Sequence, residues 1–466
     1  MPRKPGFKIL IACLACVTSS LVHADLYTAN AAFQAKDLPR AFELYRELAE
    51  LGHAGSQETL AIMYVQGEGV KRDNILGYAW AALALEQRPS EAAQGIYEQL
   101  NPHMTESGRK TAEELRARFG KDALQKSILG IEKTPLASKK VWCRIKTPAN
   151  PDDFFPPGAA EKGLSGFAII DARVFSDGRD HDPRAARLIP AQPFDAAAML
   201  LSMNNLYSPQ IGNGSAEPCT FRFKVKFTAW SARTPKKVEQ DLNAIKERAV
   251  SGNPDSQLVY GLLLRNADDP PSGEVPLDWI IKAAQAGNPF AQYLVGHEQL
   301  YSFMFEANEA KGIFWLDKAA RAGDYDAQLE LANYYLRDAS NAGNVRKAVE
   351  LLGRALEANR PEAPFYLSAL LASSPDAEVR NPKRALEIFG LEIFGKDQGI
   401  YDLNPIAWEI RAAAHANAGE FDEAIGLEKR AIRMAKAFHW NTAPMEARLA
   451  AYQGKKSWTG NLLAFY

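Results

Sequence analysis

The residues best suited to chemistry are few, and their spacing argues against catalysis. Cys13 and Cys16 have the two-residue gap of a redox or metal pair, but they lie inside the apolar run Ile9–Val17, behind Arg3, Lys4 and Lys8. His297-Glu298 begins like a zinc-protease helix without its second histidine, and the seven histidines are scattered singly. Gly454-Lys455-Lys456-Ser457 lacks the upstream glycine of a phosphate-binding loop. No Gly-x-Ser-x-Gly elbow and no paired-cysteine metal site occurs. The expectation is a non-enzyme that needs neither cofactor nor metal. What the chain offers instead is recognition. Thr220–Phe227 alternates strictly, with Phe221, Phe223, Val225 and Phe227 on one face of a strand and Arg222, Lys224 and Lys226 on the other.

These residues need a frame, and 466 residues are enough for two or three domains. The 55 Lys+Arg nearly balance the 56 Asp+Glu, which removes the basic excess expected of a nucleic-acid binder. The charged start, the apolar run and the small, polar stretch Thr18–Ala24 have the order of a secretory signal peptide. Cleavage is expected after Ala24, with the periplasm as destination; the alternative is an uncleaved leader that tethers the chain to the inner membrane. Cleavage would leave Cys143 and Cys219, 76 residues apart, as the remaining cysteines. In an oxidising compartment such a pair is expected to form a disulfide, closing a loop worth about 4 kcal/mol.

Self-comparison is the most informative operation. Leu51-Gly-His-Ala-Gly-Ser-Gln, Ser251-Gly-Asn-Pro-Asp-Ser-Gln, Ala286-Gly-Asn-Pro-Phe-Ala-Gln and Ala322-Gly-Asp-Tyr-Asp-Ala-Gln align, and Ala358-Asn-Arg-Pro-Glu-Ala-Pro is a decayed fifth. The last four recur at steps of 35, 36 and 36 residues. Trp279, Trp315 and Leu351 keep the same period, as do Ala283, Ala319 and Ala355. Each unit reads as a helix ending in Ala-Gly, a short turn and a second helix such as Ala327–Leu336. The glycine supplies a left-handed C-terminal residue, and the alanines let helices approach. One such pair cannot bury its apolar face alone, so neighbours must stack.

Leu60-Ala-Ile-Met-Tyr64, the loop Gly67-Glu-Gly69-Val70-Lys-Arg-Asp73 and Ala79-Trp80-Ala-Ala together resemble the Sel-one-like repeat, a longer-looped relative of the tetratricopeptide repeat. Ala412–Ala416, Gly419, Phe421 and Ala424-Ile425 look like one tetratricopeptide-type hairpin. The resemblance implies a mainly α fold, an α-solenoid of helix pairs that binds proteins or peptides without catalysis. Its concave side would carry Tyr64, Tyr293, Tyr334 and Tyr335, whereas Trp80, Trp279 and Trp315 are expected to pack between repeats.

The helical period stops between Lys139 and Trp230. Gly166–Phe175 reads as a strand, Ser176-Asp177-Gly178 as a hairpin turn, Phe194–Leu201 as a short helix and Thr220–Phe227 as a last strand. The expected layout is a leader at 1–24, repeats at 25–130, a small α+β module at 139–230 and repeats again at 235–466. Phe155-Pro156-Pro157, Gly163 to Gly166, Asp177-Gly178, Phe194-Asp195-Ala196-Ala197-Ala198, Tyr207-Ser208-Pro209 and Thr220–Phe227 resemble, in this order, the C-terminal domain of the energy transducer TonB. The stretch from Gly178 to Phe194 departs from that family, and no long Pro-rich linker is present. The resemblance implies a last strand at the sheet edge that accepts a partner's peptide at Thr220, Arg222, Lys224 and Lys226. The expected function is a periplasmic scaffold for envelope proteins or peptides. Alternatives are a peptidoglycan-binding protein and an accessory factor of TonB-type outer-membrane transport.

Overall fold

The computed structural model describes residues 24–130, 144–156, 159, 166–175, 177–180, 184–189, 194–212, 215–217, 219–227, 235–266, 273–301, 308–338, 341–358, 363–389 and 404–462. Residues 1–23, where a leader is expected, and Cys143 lie outside the described residues. Helices α1 (Leu26–Gln34), α2 (Leu38–Glu50), α3 (Ala54–Gln66), α4 (Asn74–Gln87), α5 (Glu91–Leu100), α6 (Glu106–Phe119) and α7 (Lys121–Leu124) form a first arm, which ends in the π-helical turn Gln125–Leu129. Their starts are written in the sequence. Asp25 caps α1 by accepting from Thr28 N at 2.8 Å, and Asp73 caps α4 by accepting from Ile75 N and Leu76 N. The repeat glycines Gly52, Gly252, Gly287 and Gly323 all have φ between 84° and 95°, the left-handed turn expected of them.

Between the helical arms lie the strands β1 (Arg144–Thr147), β2 (Gly166–Val174), β3 (Arg184–Ile189), β4 (Leu206–Ser208), β5 (Gln210–Gly212), β6 (Ser215–Glu217) and β7 (Cys219–Phe227), with α8 (Asp195–Asn204). β2 is the centre of an antiparallel sheet ordered β3-β2-β7, while β1 pairs with β4 and β5 with β6. Ala168, Ile170 and Val225 from one sheet face pack with Phe194, Ala197, Ala198 and Leu201, so α8 covers that face. The turn after β2 needs Gly178: its φ is 75°, and a Cβ would stand 2.6 Å from Tyr207 O. A buried polar cluster holds the end of α8. Ser202 Oγ donates to Asp180 at 2.6 Å, and Asn205 Nδ2 donates to the Tyr207 hydroxyl at 3.1 Å. Burial and the Asp180 charge both push the Tyr207 pKa well up, so its hydroxyl keeps its proton.

The second arm runs through α9 (Pro235–Val250), α10 (Pro254–Asn266), α11 (Pro276–Gln285), α12 (Pro289–Tyr301), α13 (Glu309–Arg321), α14 (Tyr325–Leu336), α15 (Ala342–Glu357), α16 (Ala363–Ser373), α17 (Pro382–Phe389), α18 (Pro405–Asn417), α19 (Phe421–Ala437) and α20 (Ala443–Gln453). The two arms are in contact. Leu51, Leu124 and Leu129 share one core with Ile280, Leu294, Trp315 and Leu316. Polar bonds follow the same seam: Leu26 N donates to Ala286 O at 3.0 Å, Gln285 Nε2 to Leu51 O at 2.9 Å and Trp315 Nε1 to Ile128 O at 2.7 Å. Lys311 Nζ closes the end of the first arm by donating to Gly130 O at 2.7 Å. Met203 of α8 joins the core of the second arm, and Asn441 N donates to Asp177 Oδ2 at 2.9 Å.

Candidate functional site

A groove lies on the first arm where α4, α5 and α6 meet. Tyr78 and Tyr97 stack at 5.0 Å between centroids, 18° from parallel, and form an aromatic wall. Arg109 of α6 is fixed beside them: its Nη1 donates to Asn101 Oδ1 at 2.9 Å and to the Tyr78 hydroxyl at 3.4 Å, and its Nη2 donates to Asn101 O. Leu83, Leu85 and Ala112 add apolar lining, and Arg116 meets Glu86 at 2.5 Å on the rim. The cavity holds about 570 Å³, within the range of small-ligand and side-chain pockets. Arg109 spends its bonds on an amide and a phenol, leaving guanidinium hydrogens for a carboxylate. An apolar side chain next to a carboxylate fits such walls. The Tyr78, Tyr97 and Arg109 triad was missed in the sequence because its members come from three helices outside the aligned segments.

The tyrosines expected on a concave face divide. Tyr64 is half-buried and meets Phe42 edge-on at 5.3 Å. Tyr334 and Tyr335 are half-buried neighbours, 5.7 Å apart, with Arg337 over the first ring and Lys347 over the second. Tyr293 is a correction: it is 1% exposed and belongs to the core, its ring against Phe290 and His297. It directly follows the repeat glutamine Gln292, and the equivalent residues Leu258 and Leu329 are buried too. That register was the signal to read. Trp80, Trp279 and Trp315 are all buried, as expected of packing residues.

The repeat glutamine is itself a residue whose role went unread. Gln57, Gln257, Gln292 and Gln328 donate through Nε2 to Ala49, Ala249, Ala284 and Ala320, each eight residues back, at 3.0, 3.2, 3.1 and 3.0 Å. Each bond ties the start of a helix to the last turn of its predecessor across the glycine turn, adding a second donor to a carbonyl that already accepts the N–H of the turn's glycine.

β7 pairs with β2 alone among the described residues, with Thr220 opposite Arg173, Arg222 opposite Asp171, Lys224 opposite Ile169 and Lys226 opposite Phe167. Cys219 opens that strand opposite Val174. His297 and Glu298 do not act together: His297 Nδ1 faces Glu330 at 3.7 Å in the core, whereas Glu298 meets Arg265 at 3.2 Å. Among the described residues no group of three or more His, Cys, Asp or Glu could hold a metal, and no helix is long and apolar enough to cross a membrane.

The terminal hairpin buries charge. Side chains of Glu409 on α18, Glu428 on α19 and Arg448 on α20 are 0%, 0% and 3% exposed. Arg448 Nη2 donates to Glu409 Oε1, and its Nε stands 3.6 Å from Glu428 Oε1. Burial first, and the Glu409 charge second, push the Glu428 carboxyl up to about 9. At neutral pH Glu428 is therefore protonated and the cluster holds one neutralised ion pair. This is structural rather than reactive chemistry, since the groups are sealed from solvent.

Comparison with known proteins places the repeats. The Sel1 repeat family matches residues 32–53, 56–88, 289–324 and 326–359. A Sel1 repeat protein from Oxalobacter formigenes is 12% identical over 78% of this chain and 98% of its own, with a TM-score of 0.29. The antigen c5321 of uropathogenic Escherichia coli, described as protective and as displaying an SLR fold, is 16% identical over 93% of this chain and 87% of its own, with a TM-score of 0.30. No curated protein matches. Segments that match the Sel1 repeat thus lie on both sides of the strands.

Proposed function

We propose that this chain is a non-catalytic periplasmic scaffold that binds envelope proteins or peptides, chiefly through its helical repeats. Proteins built of Sel1 repeats generally act as protein-interaction scaffolds. The observation that carries the reading here is the Tyr78–Tyr97–Arg109 groove on a repeat arm, which can hold an apolar side chain and a neighbouring carboxylate. Residues 139–230 are read as a TonB C-terminal-like module. Support comes from the succession of strand, tight turn, strand, helix and long last strand, with β7 paired on one side among the described residues. A partner strand added beside β7 would satisfy an open ladder of N–H and C=O groups. The leader, the Cys143–Cys219 disulfide and residence in the periplasm belong to the same proposal.

The test is co-purification of the tagged chain from envelope extracts, followed by mass spectrometry, with an Arg109→Gln/Tyr97→Ala variant as control. A partner recovered by the native chain and lost from the variant is the expected result. Retention of every partner by the variant removes the groove. Retention on murein sacculi with no protein partner favours the cell-wall alternative and refutes the scaffold reading.

A further inference from the structure

The groove on the first arm has a direction and two unlike ends. The Tyr78 hydroxyl meets Arg109 at 3.4 Å, and further along both helices Glu86 meets Arg116 at 2.5 Å, so α4 and α6 run parallel beside the slot. Arg109, Ala112, Glu113 and Arg116 share the stripe of α6 that lines it, which makes the slot about 10 Å long from one cation to the other. At the far end Arg116 is spent on Glu86 and on Glu113, the latter at 3.9 Å, and Glu86 also accepts from Lys121 N at 3.2 Å.

The near end is open for an anion. Arg109 is exposed and has no carboxylate partner among the described residues. Its Nη1 spends both hydrogens, on Asn101 Oδ1 and on the Tyr78 hydroxyl, and its Nη2 spends one on Asn101 O. One hydrogen on Nη2 and the hydrogen on Nε are left, on the guanidinium edge that grips a carboxylate by two parallel bonds. Burial first, and Tyr97 beside it next, hold the Tyr78 pKa above its ordinary 10.0. That phenol therefore stays protonated and brings no charge that would repel an anion.

We infer that the slot holds the last residue of a partner protein, with its free α-carboxylate on Arg109 and its apolar side chain against the tyrosine wall and Leu83. The inference rests on the groove being a binding site and adds which part of the partner enters it. Between the charged ends lie Ala79, Ala82, Leu83 and Ala112, and this apolar stretch begins within one helical turn of Arg109. A C-terminal residue carries its carboxylate and its side chain on one Cα, which fits so short a separation. An Asp or Glu inside a chain reaches Arg109 only with backbone continuing in both directions. Apolar walls that end in a spent ion pair leave those extra amides without partners.

The experiment is fluorescence anisotropy of the full chain with two labelled pools of peptides, randomised except for a last Leu or Phe, one pool with a free carboxylate and one amidated. The free-acid pool is expected to bind about tenfold or more tightly than the amide, with the preference shrinking as salt rises. Arg109→Gln should bind both pools equally, at the affinity the native chain has for the amide, which also shows that the variant is folded. Lys110→Gln removes a neighbouring cation that does not line the slot and should keep the full preference. Equal binding of acid and amide by the native chain overturns the inference and leaves the groove as a site for internal segments. Full preference in Arg109→Gln, or its loss in Lys110→Gln, overturns it too, since the carboxylate then answers to another charge. Binding of neither pool likewise overturns it, and co-purification with Arg109→Gln/Tyr97→Ala then decides separately whether the groove takes a partner at all.

Discussion

Replacing Glu428 by Gln tests the buried charge cluster of the terminal hairpin. In the folded chain the Glu428 carboxyl titrates at about 9, against an ordinary value of 4.5, because burial and Glu409 both penalise its ionised form. An acid whose folded pKa is raised gives stability that is complete below the unfolded value and is lost as pH climbs toward the folded one. The sensitive window therefore runs from 4.5 to about 9. Within it each pH unit costs about 1.4 kcal/mol, so the hairpin should lose about 4 kcal/mol between about pH 5 and about pH 8. Glu428→Gln supplies the same donor to Glu409 without a proton to lose. It should flatten that slope, leaving the variant close to the native chain at acidic pH and more stable by a few kcal/mol at mildly alkaline pH. Hydrogen exchange of backbone amides in residues 405–453, followed by mass spectrometry and corrected for intrinsic rates, reads the local opening free energy directly. Equal slopes in the two proteins, or a Gln variant less stable at pH 8, would show that Glu428 carries no proton and refute the reasoning.

Arg448→Met leaves Glu409 and Glu428 buried together and should destabilise the same hairpin by about 3 kcal/mol or more, read as an earlier urea midpoint for its exchange protection. Gly52→Ala must hold a side chain at φ 88°, with its Cβ 2.6 Å from Leu124 Cδ1 and 2.8 Å from Gln285 Nε2. Loosening of the seam by about 2 kcal/mol should appear as faster proteolysis around residue 130. Gln328→Leu removes one donor from the Ala320 carbonyl, which keeps the Gly323 amide, and should cost about 1 kcal/mol, visible as increased exchange in α13 and α14 but not in α18. Trp315→Phe keeps most of the buried ring but removes the donor to Ile128 O, and should raise exchange across residues 121–130 by about tenfold.

The helical part of the fold was legible because its signal is local and repeated. Gly287 and Gly323 announce a left-handed turn, and Trp279 and Trp315 recur on a buried face, so period and packing agree. The glutamine eight residues beyond each alanine was equally regular in the sequence. Its meaning stayed hidden because an amide-to-carbonyl bond across a turn leaves no hydrophobic pattern. Tyr293 shows the converse error: a tyrosine on a helix looks like a contact residue until the stacking of neighbours decides which side is covered. The groove of Tyr78, Tyr97 and Arg109 and the seam between Leu51, Leu124 and Ile280 depend on residues brought together from separate helices.

The seam also sets a timetable for synthesis. The Leu26 amide finds its acceptor at Ala286, and Leu51 and Leu124 find their cover on helices beyond residue 275. At roughly 5–20 residues per second, the ribosome needs about 10–50 s to deliver the 260 residues that separate Leu26 from Ala286. Throughout that interval the first arm exists without the partner that seals it. A nascent chain of this design therefore keeps an adhesive apolar surface open for most of its own translation, and is a natural client for a holding chaperone until the second arm arrives.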